Sequence, residues 1–258
     1  MDDATRKSNT LFVGSLEKGM RVLSVFGSQH PELSLTELVA LTGLDKSAVQ
    51  RLANTLHLTG YLEKDPDTRR FRPSLKCLEL GAGYLCSDPL PQLAMPKLIE
   101  LSRALGERVN AARLDGTDIV YVIRIPTQLT NFAAMLVGRR ITALTTSSGR
   151  ILIANFDAQR RRQAIESWPI TATTPKTTLD RRVIADEIEE AAASGYGMTV
   201  SQNIMNEIGI SAPIYSTAGE PVATVQCSVS SLKWSVERVR TKIAPALMEV
   251  ANSIQVPR

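Results

Sequence analysis

The sequence has little of what most catalytic and metal-binding chemistry needs. Its three cysteines, Cys77, Cys86 and Cys227, are an odd, scattered set. That spacing suggests neither a disulfide framework nor a zinc site. Only two histidines occur, His30 and His57, both near the start of the chain. The long remainder has none, which disfavours Ser/His/Asp or Cys/His nucleophilic catalysis there and most transition-metal chemistry. No carboxylate pair stands out for acid/base work. The absence of a glycine-rich phosphate loop weakens nucleotide binding. No apolar run approaches the ~20 residues of a membrane span, and Met1-Asp2-Asp3 does not open a secretory signal. The expectation is a cytoplasmic protein that is not an enzyme, has no cofactor or metal, and does not partner a membrane.

What is present suits a globular chain of two domains. The 258 residues are 43% hydrophobic, ample for packed cores, with a formal net charge of +4. That charge is compatible with nucleic acid without being diagnostic.

The most informative stretch lies between Ser34 and Leu62. Ser34-Leu35-Thr36-Glu37 has the form of a capping box. Leu35, Leu38 and Val39 follow at helical spacing before Gly43-Leu44-Asp45 breaks the pattern. A second helix is predicted from Asp45 as N-cap, over Lys46 to about Thr59, with Val49, Leu52, Ala53 and Leu56 on its apolar face. The opposite face offers Lys46, Ser47, Gln50, Arg51 and Asn54, donors suited to phosphates and base edges. Helix, glycine-bearing turn and cationic helix form a helix-turn-helix pattern. Any small helical domain with a polar exterior is the plain alternative. The flanks favour the first reading. Leu16, Met20, Leu23 and Phe26 form a third helical stripe, ending near Gly27. Tyr61–Glu63 and Phe71-Arg72 read as two strands joined by a Pro-, Asp- and Arg-bearing turn, a wing tipped by Arg69 and Arg70.

Beyond the wing, Leu75, Leu78, Leu80 and Leu85 predict a linker helix interrupted by Gly81 and Gly83 and ended by Ser87-Asp88-Pro89-Leu90-Pro91. It reads either as a plain linker or as a helix pairing with its twin in a dimer. The pattern then becomes mixed. A helix is expected over Leu93–Leu105, and a hairpin over Val109–Leu114 and Ile119–Ile125, turned by Asp115-Gly116. Helices follow from Ser147/Ser148 to Ala154, Asp157 to Ser167, and Thr178 or Asp180 to Ser194. Strands are expected at Tyr196–Gln202, Glu207–Tyr215 and Pro221–Val229. The closing helix carries Val236, Val239, Ile243, Leu247, Val250 and Ile254 on one face, with a kink possible at Pro245. Hairpin strands with helices alongside argue an antiparallel α+β domain.

Ser15–Gly19, Leu33–Leu38, Gly43–Ser47, Arg51-Leu52 and Gly60–Leu62, followed by Val137–Arg140, Ser148–Arg150, Gly195-Tyr196 and Ile210–Pro213, make the chain resemble the IclR family of bacterial transcriptional regulators. The resemblance runs from about Ser15 to Ile254. It implies a GAF/PAS-like effector domain that binds a small metabolite in a cup. Carried over by position, the cup would be lined by Ile141, Ser147, Ser148, Thr199, Gly209, Gln226 and Ser228. Strand alternation supports part of this independently, because Thr224, Gln226 and Ser228 share one face. A solvent-facing side is the alternative for them. The chain departs from the family where Thr199, Ser201, Gln202 and Asn203 replace an acidic cluster, and where Gly209 replaces a cysteine. Arg139, Arg140 and Arg150 are candidates for an anion clamp or for plain surface charge. Arg160–Arg162 read as a solvated helix face, and Thr171–Thr178 as a loop beside the cup.

The expected layout is therefore a tail over 1–14, a winged helix-turn-helix over 15–74, a linker helix over 75–91, and an effector-binding and oligomerisation domain over 92–258. The function expected is a ligand-responsive regulator of a catabolic or metabolic operon, a homodimer or homotetramer controlled by a small metabolite, for which an organic or aromatic acid is one candidate. Ser47, Gln50, Arg51 and Asn54 would face bases, with Lys46, Arg69, Arg70 and Arg72 nearer phosphate. A repressor and an activator share all these motifs. The alternatives are a protein-docking module built on the winged domain, or an enzyme with an accessory helical domain.

Overall fold

Capping chemistry sets the helix boundaries of the N-terminal unit. The computed structural model describes residues 10–127 and 136–257, so most of the expected 1–14 tail lies outside the described residues. Helices α1 (Gly14–Ser24), α2 (Leu35–Thr42) and α3 (Lys46–Leu58) follow in order. The Ser34 amide donates to the Glu37 carboxylate at 2.7 Å and the Glu37 amide to the Ser34 hydroxyl at 3.3 Å, a complete capping box. Gly43 ends α2 at φ +66°, a conformation open to a residue without Cβ. The Asp45 carboxylate accepts from the Ala48 amide at 2.8 Å and starts α3. Strands β1 (Leu62–Lys64) and β2 (Phe71–Pro73) pair antiparallel as the wing, and Leu33 bridges to Phe71.

Val22, Leu33, Leu38, Val49, Ala53, Leu62 and Phe71 form the core of this unit. The stripe expected on α1 needs correction. Leu23 and Phe26 pack against the core, but Leu16 and Met20 are 64% and 52% exposed. Val22 is the inward residue. Residues two apart on a helix differ by about 200°, so turning Val22 inward sends Met20 and Leu16 outward.

The chain divides into two units between Tyr84 and Leu85. Helix α4 (Leu75–Ser87) crosses that division and has no buried residue. It runs through Gly81 and Gly83 without the expected break; each glycine costs a helix only about 1 kcal/mol. In the first unit the Lys76 ammonium donates to the Thr59 carbonyl at 3.0 Å and sits 4.7 Å from the Tyr61 ring centre. The Asp88-Pro89 pair, read as a terminator, instead begins α5 (Pro89–Leu105), four residues earlier than expected. Asp88 is the N-cap, and Pro89 stands where a missing N–H costs nothing.

The C-terminal unit is built on an antiparallel sheet. Its strands are β3 (Arg108–Asp115), β4 (Asp118–Ile125), β5 (Arg140–Thr142), β6 (Gly197–Val200), β7 (Glu207–Ser216) and β8 (Pro221–Ser230), in the order β5-β4-β3-β8-β7-β6. Around it lie α6 (Ser147–Ala154), α7 (Ala158–Ser167) and α8 (Arg181–Ser194), with Asp157 and Asp180 as N-caps of the last two. Alternation along the strands assigns the two faces. Ile208, Ile210, Ala212, Ile214, Val225, Cys227 and Val229 pack in one cluster with Leu90, Leu98 and Leu247. The opposite face supports α6, whose Ile151 and Ile153 join Ile184 and Ile188 of α8 in a second cluster.

The closing helix is not one continuous rod. Val236–Arg238 (α9) leads into a π-helical stretch, Val239–Ile243, and then α10 (Ala244–Ser253). Pro245, the expected kink, cannot donate the bond an α-helix needs at that point, and the wider turn just before it accommodates the gap. Ile254 leaves the helix, and β9 (Gln255–Val256) adds to β7 in parallel. Among the described residues no helix is long and apolar enough to cross a membrane.

Candidate nucleic-acid interface and ligand cup

The exposed side of α3 is polar from Lys46 to Asn54, with the apolar Leu58, 76% exposed, at its C-terminal end. Lys46, Ser47, Gln50, Arg51 and Asn54 are all exposed, opposite the buried Val49 and Ala53. At 100° per residue the five cover an arc of about 140°. Lys46 and Arg51 have no acidic partner among the described residues. His57, one of the two histidines, is structural: its Nδ1 lies 3.0 Å from the Leu62 carbonyl.

The wing is ordered by Asp65, whose carboxylate accepts from the amides of Asp67 and Thr68 and from the Thr68 hydroxyl. This holds Arg69 exposed at φ +60°. Arg70 and Arg72, expected nearer phosphate, are engaged inside the domain. Arg70 bonds Glu37 at 2.8 Å and Glu32 at 3.2 Å. Arg72 pairs with Glu63 at 2.7 Å. Arg69 is therefore the wing-tip arginine without a carboxylate partner among the described residues.

The second site sits on the polar face of the large sheet, beneath the start of α6. Ile141, Ser147, Thr199, Gly209, Gln226 and Ser228 of the expected set line one pocket together. Ser148 does not. It lies deeper, with its hydroxyl 2.9 Å from both the Ser211 and Thr224 hydroxyls. Successive residues at a helix start point about 100° apart, so Ser147 and Ser148 cannot both face the cup. Thr224, Gln226 and Ser228 are buried, 0%, 4% and 6% exposed, so the solvent-facing alternative fails for them.

Two glycines shape the cup. A Cβ on Gly197 would overlap the Ser147 carbonyl, so that glycine lets α6 approach the sheet. A Cβ on Gly209 would sit 3.2 Å from both the Ser147 and Thr199 side-chain oxygens and 3.5 Å from Gln226 Nε2. The residue where the family pattern has cysteine thus keeps the cup floor open. The Thr171–Thr178 loop lies against the neighbouring wall, where Thr174 and Thr177 donate to the Ser201 and Gln202 carbonyls, each at 2.6 Å.

Arg108, Tyr121, Arg124 and Glu207 also line the cup and were missed in the sequence. Simple alternation puts residues 121 and 124 on opposite faces. A bulge reverses this: Ala112 pairs with Tyr121 and Ala111 with Ile123, leaving Val122 as the extra residue. Tyr121 and Arg124 thereby share the cup face, with the guanidinium 4.1 Å from the ring centre. Burial pulls the Arg124 pKa down to about 10, still cationic at neutral pH. Arg108 is paired with Glu207.

Of the three arginines considered for an anion clamp, only Arg139 reaches the cup. Arg140 pairs with Asp115 and Asp118 at 2.6 and 3.3 Å. Arg150 is wholly buried and pairs with Glu187 at 2.7 Å.

Residues 15–66 match the model of the IclR helix-turn-helix domain, and residues 82–256 match the bacterial transcriptional regulator IclR C-terminal domain. The chain belongs to the IclR family. It is a DNA-binding transcriptional regulator. IclR-family relatives align over nearly all of it. The Pca regulon regulatory protein of Pseudomonas putida is 30% identical, over 94% of this chain and 83% of that protein. The p-hydroxybenzoate hydroxylase transcriptional activator of Acinetobacter baylyi is 25% identical, over 95% and 91%. An IclR family transcriptional regulator from Brucella abortus shares the fold, with a TM-score of 0.82 at 22% identity over 97% of this chain and 95% of that one. An IclR homologue of Microbacterium hydrocarbonoxydans, solved with 4-hydroxybenzoate, superposes with a TM-score of 0.76 at 21% identity, covering 93% and 97%.

Proposed function

We propose that this IclR-family regulator reads operator DNA as a homodimer or homotetramer, and that an organic acid bound in the C-terminal cup controls its occupancy. Ser47, Gln50, Arg51 and Asn54 are assigned to base edges, and Lys46 and Arg69 to phosphates. Arg70 and Arg72 serve the wing first, holding its carboxylates, and phosphate second. The observation that carries the DNA assignment is the exposed polar arc of α3, with two cations that have no acidic partner among the described residues. Ile141, Ser147, Thr199, Gly209, Gln226 and Ser228 are assigned to the effector, with Ser148 bracing the wall behind them.

Three arginines against one carboxylate make the cup cationic, which favours an anion. The 4-hydroxybenzoate complex of the Microbacterium homologue supports the same chemistry. Self-association is supported by apolar surface that the single chain leaves bare: Leu16 and Met20 on α1, and Leu75, Leu78 and Leu80 on α4. The protein acts in the cytoplasm and has no catalytic role. An operator titration with and without lactate, malate and 4-hydroxybenzoate tests the control. A tenfold change in affinity with one of them corresponds to about 1.4 kcal/mol of discrimination between conformers. Operator affinity indifferent to every acid would overturn this reading.

A further inference from the structure

Asp88 carries more than a helix cap requires. Helix α4 ends at Ser87 and α5 begins at Pro89, so this one residue joins the linker helix to α5. Capping α5 takes a single oxygen, Oδ1, which accepts from the Leu90 amide at 3.0 Å. The carboxylate is nonetheless buried and gripped from the sheet. Arg113 of β3, 25 positions away, donates from Nη2 to Oδ1 at 2.7 Å and from Nε to Oδ2 at 2.9 Å. Its Nη1 donates to the Val222 carbonyl of β8 at 3.3 Å. The fork thus bolts the joint to the two central strands of the sheet.

The same stretch of β3 runs under the cup. Ala112, beside Arg113, pairs with Tyr121 on β4 and with Thr224 on β8. Tyr121 lines the cup, and the Thr224 hydroxyl donates to Ser148 at the start of α6 at 2.9 Å. The bulge of β4 falls at this point. It turns Tyr121 to the cup and leaves Val122 on the other face, packed in one cluster with Leu90, Ala94 and Leu98 of α5. Close-packed side chains pass a displacement on and do not absorb it. Asp88 has little freedom to absorb one either, because Pro89 restricts it to extended backbone, here φ −88° and ψ 119°.

We propose that Arg113 and Asp88 are positioning residues that couple the cup to the linker helix. This rests on the cup being the effector site, and it holds for any effector that touches Tyr121, whatever its chemistry. Contact there shifts the bulge, Ala112 and α5 together. Arg113 turns the Asp88 carboxylate with them, and the end of α4 at Ser87 follows. Neither residue touches effector or DNA. Without the fork each site still binds, and the coupling between them is lost.

Operator affinity of the full chain, measured by fluorescence anisotropy with and without lactate, malate and 4-hydroxybenzoate, gives the coupling as a ratio. Isothermal titration gives acid binding in the absence of DNA. Asp88→Asn keeps the capping oxygen and removes the charge that Arg113 grips. Arg113→Lys keeps a charge beside Asp88 without the fork. The acid with the largest effect should shift operator affinity of the unaltered protein by about fivefold or more. Both variants should bring that ratio to near one, with acid affinity and acid-free operator affinity unchanged. The double variant should lose no more than either single one. Arg240→Gln, which breaks the exposed pair with Glu190, should keep the full ratio.

An unchanged ratio in both variants, an equal fall in Arg240→Gln, or a loss of acid binding that accounts for the whole fall would overturn the proposal and leave the effector reading standing. If no acid shifts operator affinity of the unaltered protein, that reading and the proposal fall together. Should Asp88→Asn melt far below the unaltered protein, Arg113→Lys decides.

Discussion

Arg150 and Glu187 form an ion pair at 2.7 Å between α6 and α8, although the Arg150 side chain is 1% exposed and that of Glu187 is 35% exposed. Burial pulls the arginine pKa down and pushes the carboxyl pKa up, each opposed by the partner's charge. Arg150 Nε also donates to the Leu144 carbonyl at 2.9 Å, tying α6 to the short turn before it. The pair thus fixes the placement of the helix that carries Ser147 over the cup. A guanidinium of this kind is solvated by its partners or not at all.

Removing one member should therefore cost more than the pair contributes. Arg150→Ala is expected to lower stability by about 3 kcal/mol or more, leaving a carboxylate and a buried carbonyl without a donor. Glu187→Gln keeps an acceptor but leaves the wholly buried guanidinium without its counter-charge, and should likewise cost about 3 kcal/mol or more. Urea unfolding of the two variants checks both losses.

Glu37 makes the winged unit sensitive to acid. Hydrogen bonds from the Ser34 side chain and amide, then from Arg70, lower its pKa from 4.5 to about 2. A carboxylate with a depressed pKa contributes stability that is present above about 4.5 and is lost as pH falls towards 2. Thermal melting followed from pH 5 to pH 2, values bracketing that window, should show a decline that Glu37→Gln flattens. Arg70→Ala should steepen neither limb but lower the neutral-pH melting temperature, since it strips donors from both Glu37 and Glu32.

The two cup glycines should respond differently to added atoms. Gly197→Ala places a methyl on the Ser147 backbone, which cannot yield, so the unit should lose about 1–3 kcal/mol or more. Gly209→Ala meets side-chain oxygens at 3.2 Å that can shift by a few tenths of an ångström. It should fold normally and shrink the cup, and Gly209→Leu should abolish effector response while DNA binding persists. Melting curves and operator titrations with effector distinguish the two positions.

On DNA, Arg51→Ala should reduce the preference for operator over scrambled sequence by about 1–3 kcal/mol. Arg69→Ala should weaken both equally and lower the salt slope by about one. Equal losses on both DNAs for Arg51→Ala would move that residue to a phosphate.

Local chemistry was legible in the chain. Ser34, Glu37, Gly43 and Asp45 fix helix ends within a few residues of one another, and Thr224, Gln226 and Ser228 mark a face by period alone. What depended on distant partners was not. The Arg108–Glu207 pair spans 99 positions, and the extra residue at Val122 exists only in the register against β3. Leu16 and Met20 read as core because an apolar stripe does not say which surface it covers. Pro89 read as a stop because proline suits both the end of one helix and the start of the next.

The most direct test is fluorescence anisotropy of the full chain on DNA from upstream of its own gene and on scrambled DNA, at two salt concentrations. The account predicts tighter binding to the upstream DNA, weakening steeply as salt rises. Equal affinity for both DNAs, or no binding even at low salt with effector acids present, would contradict it.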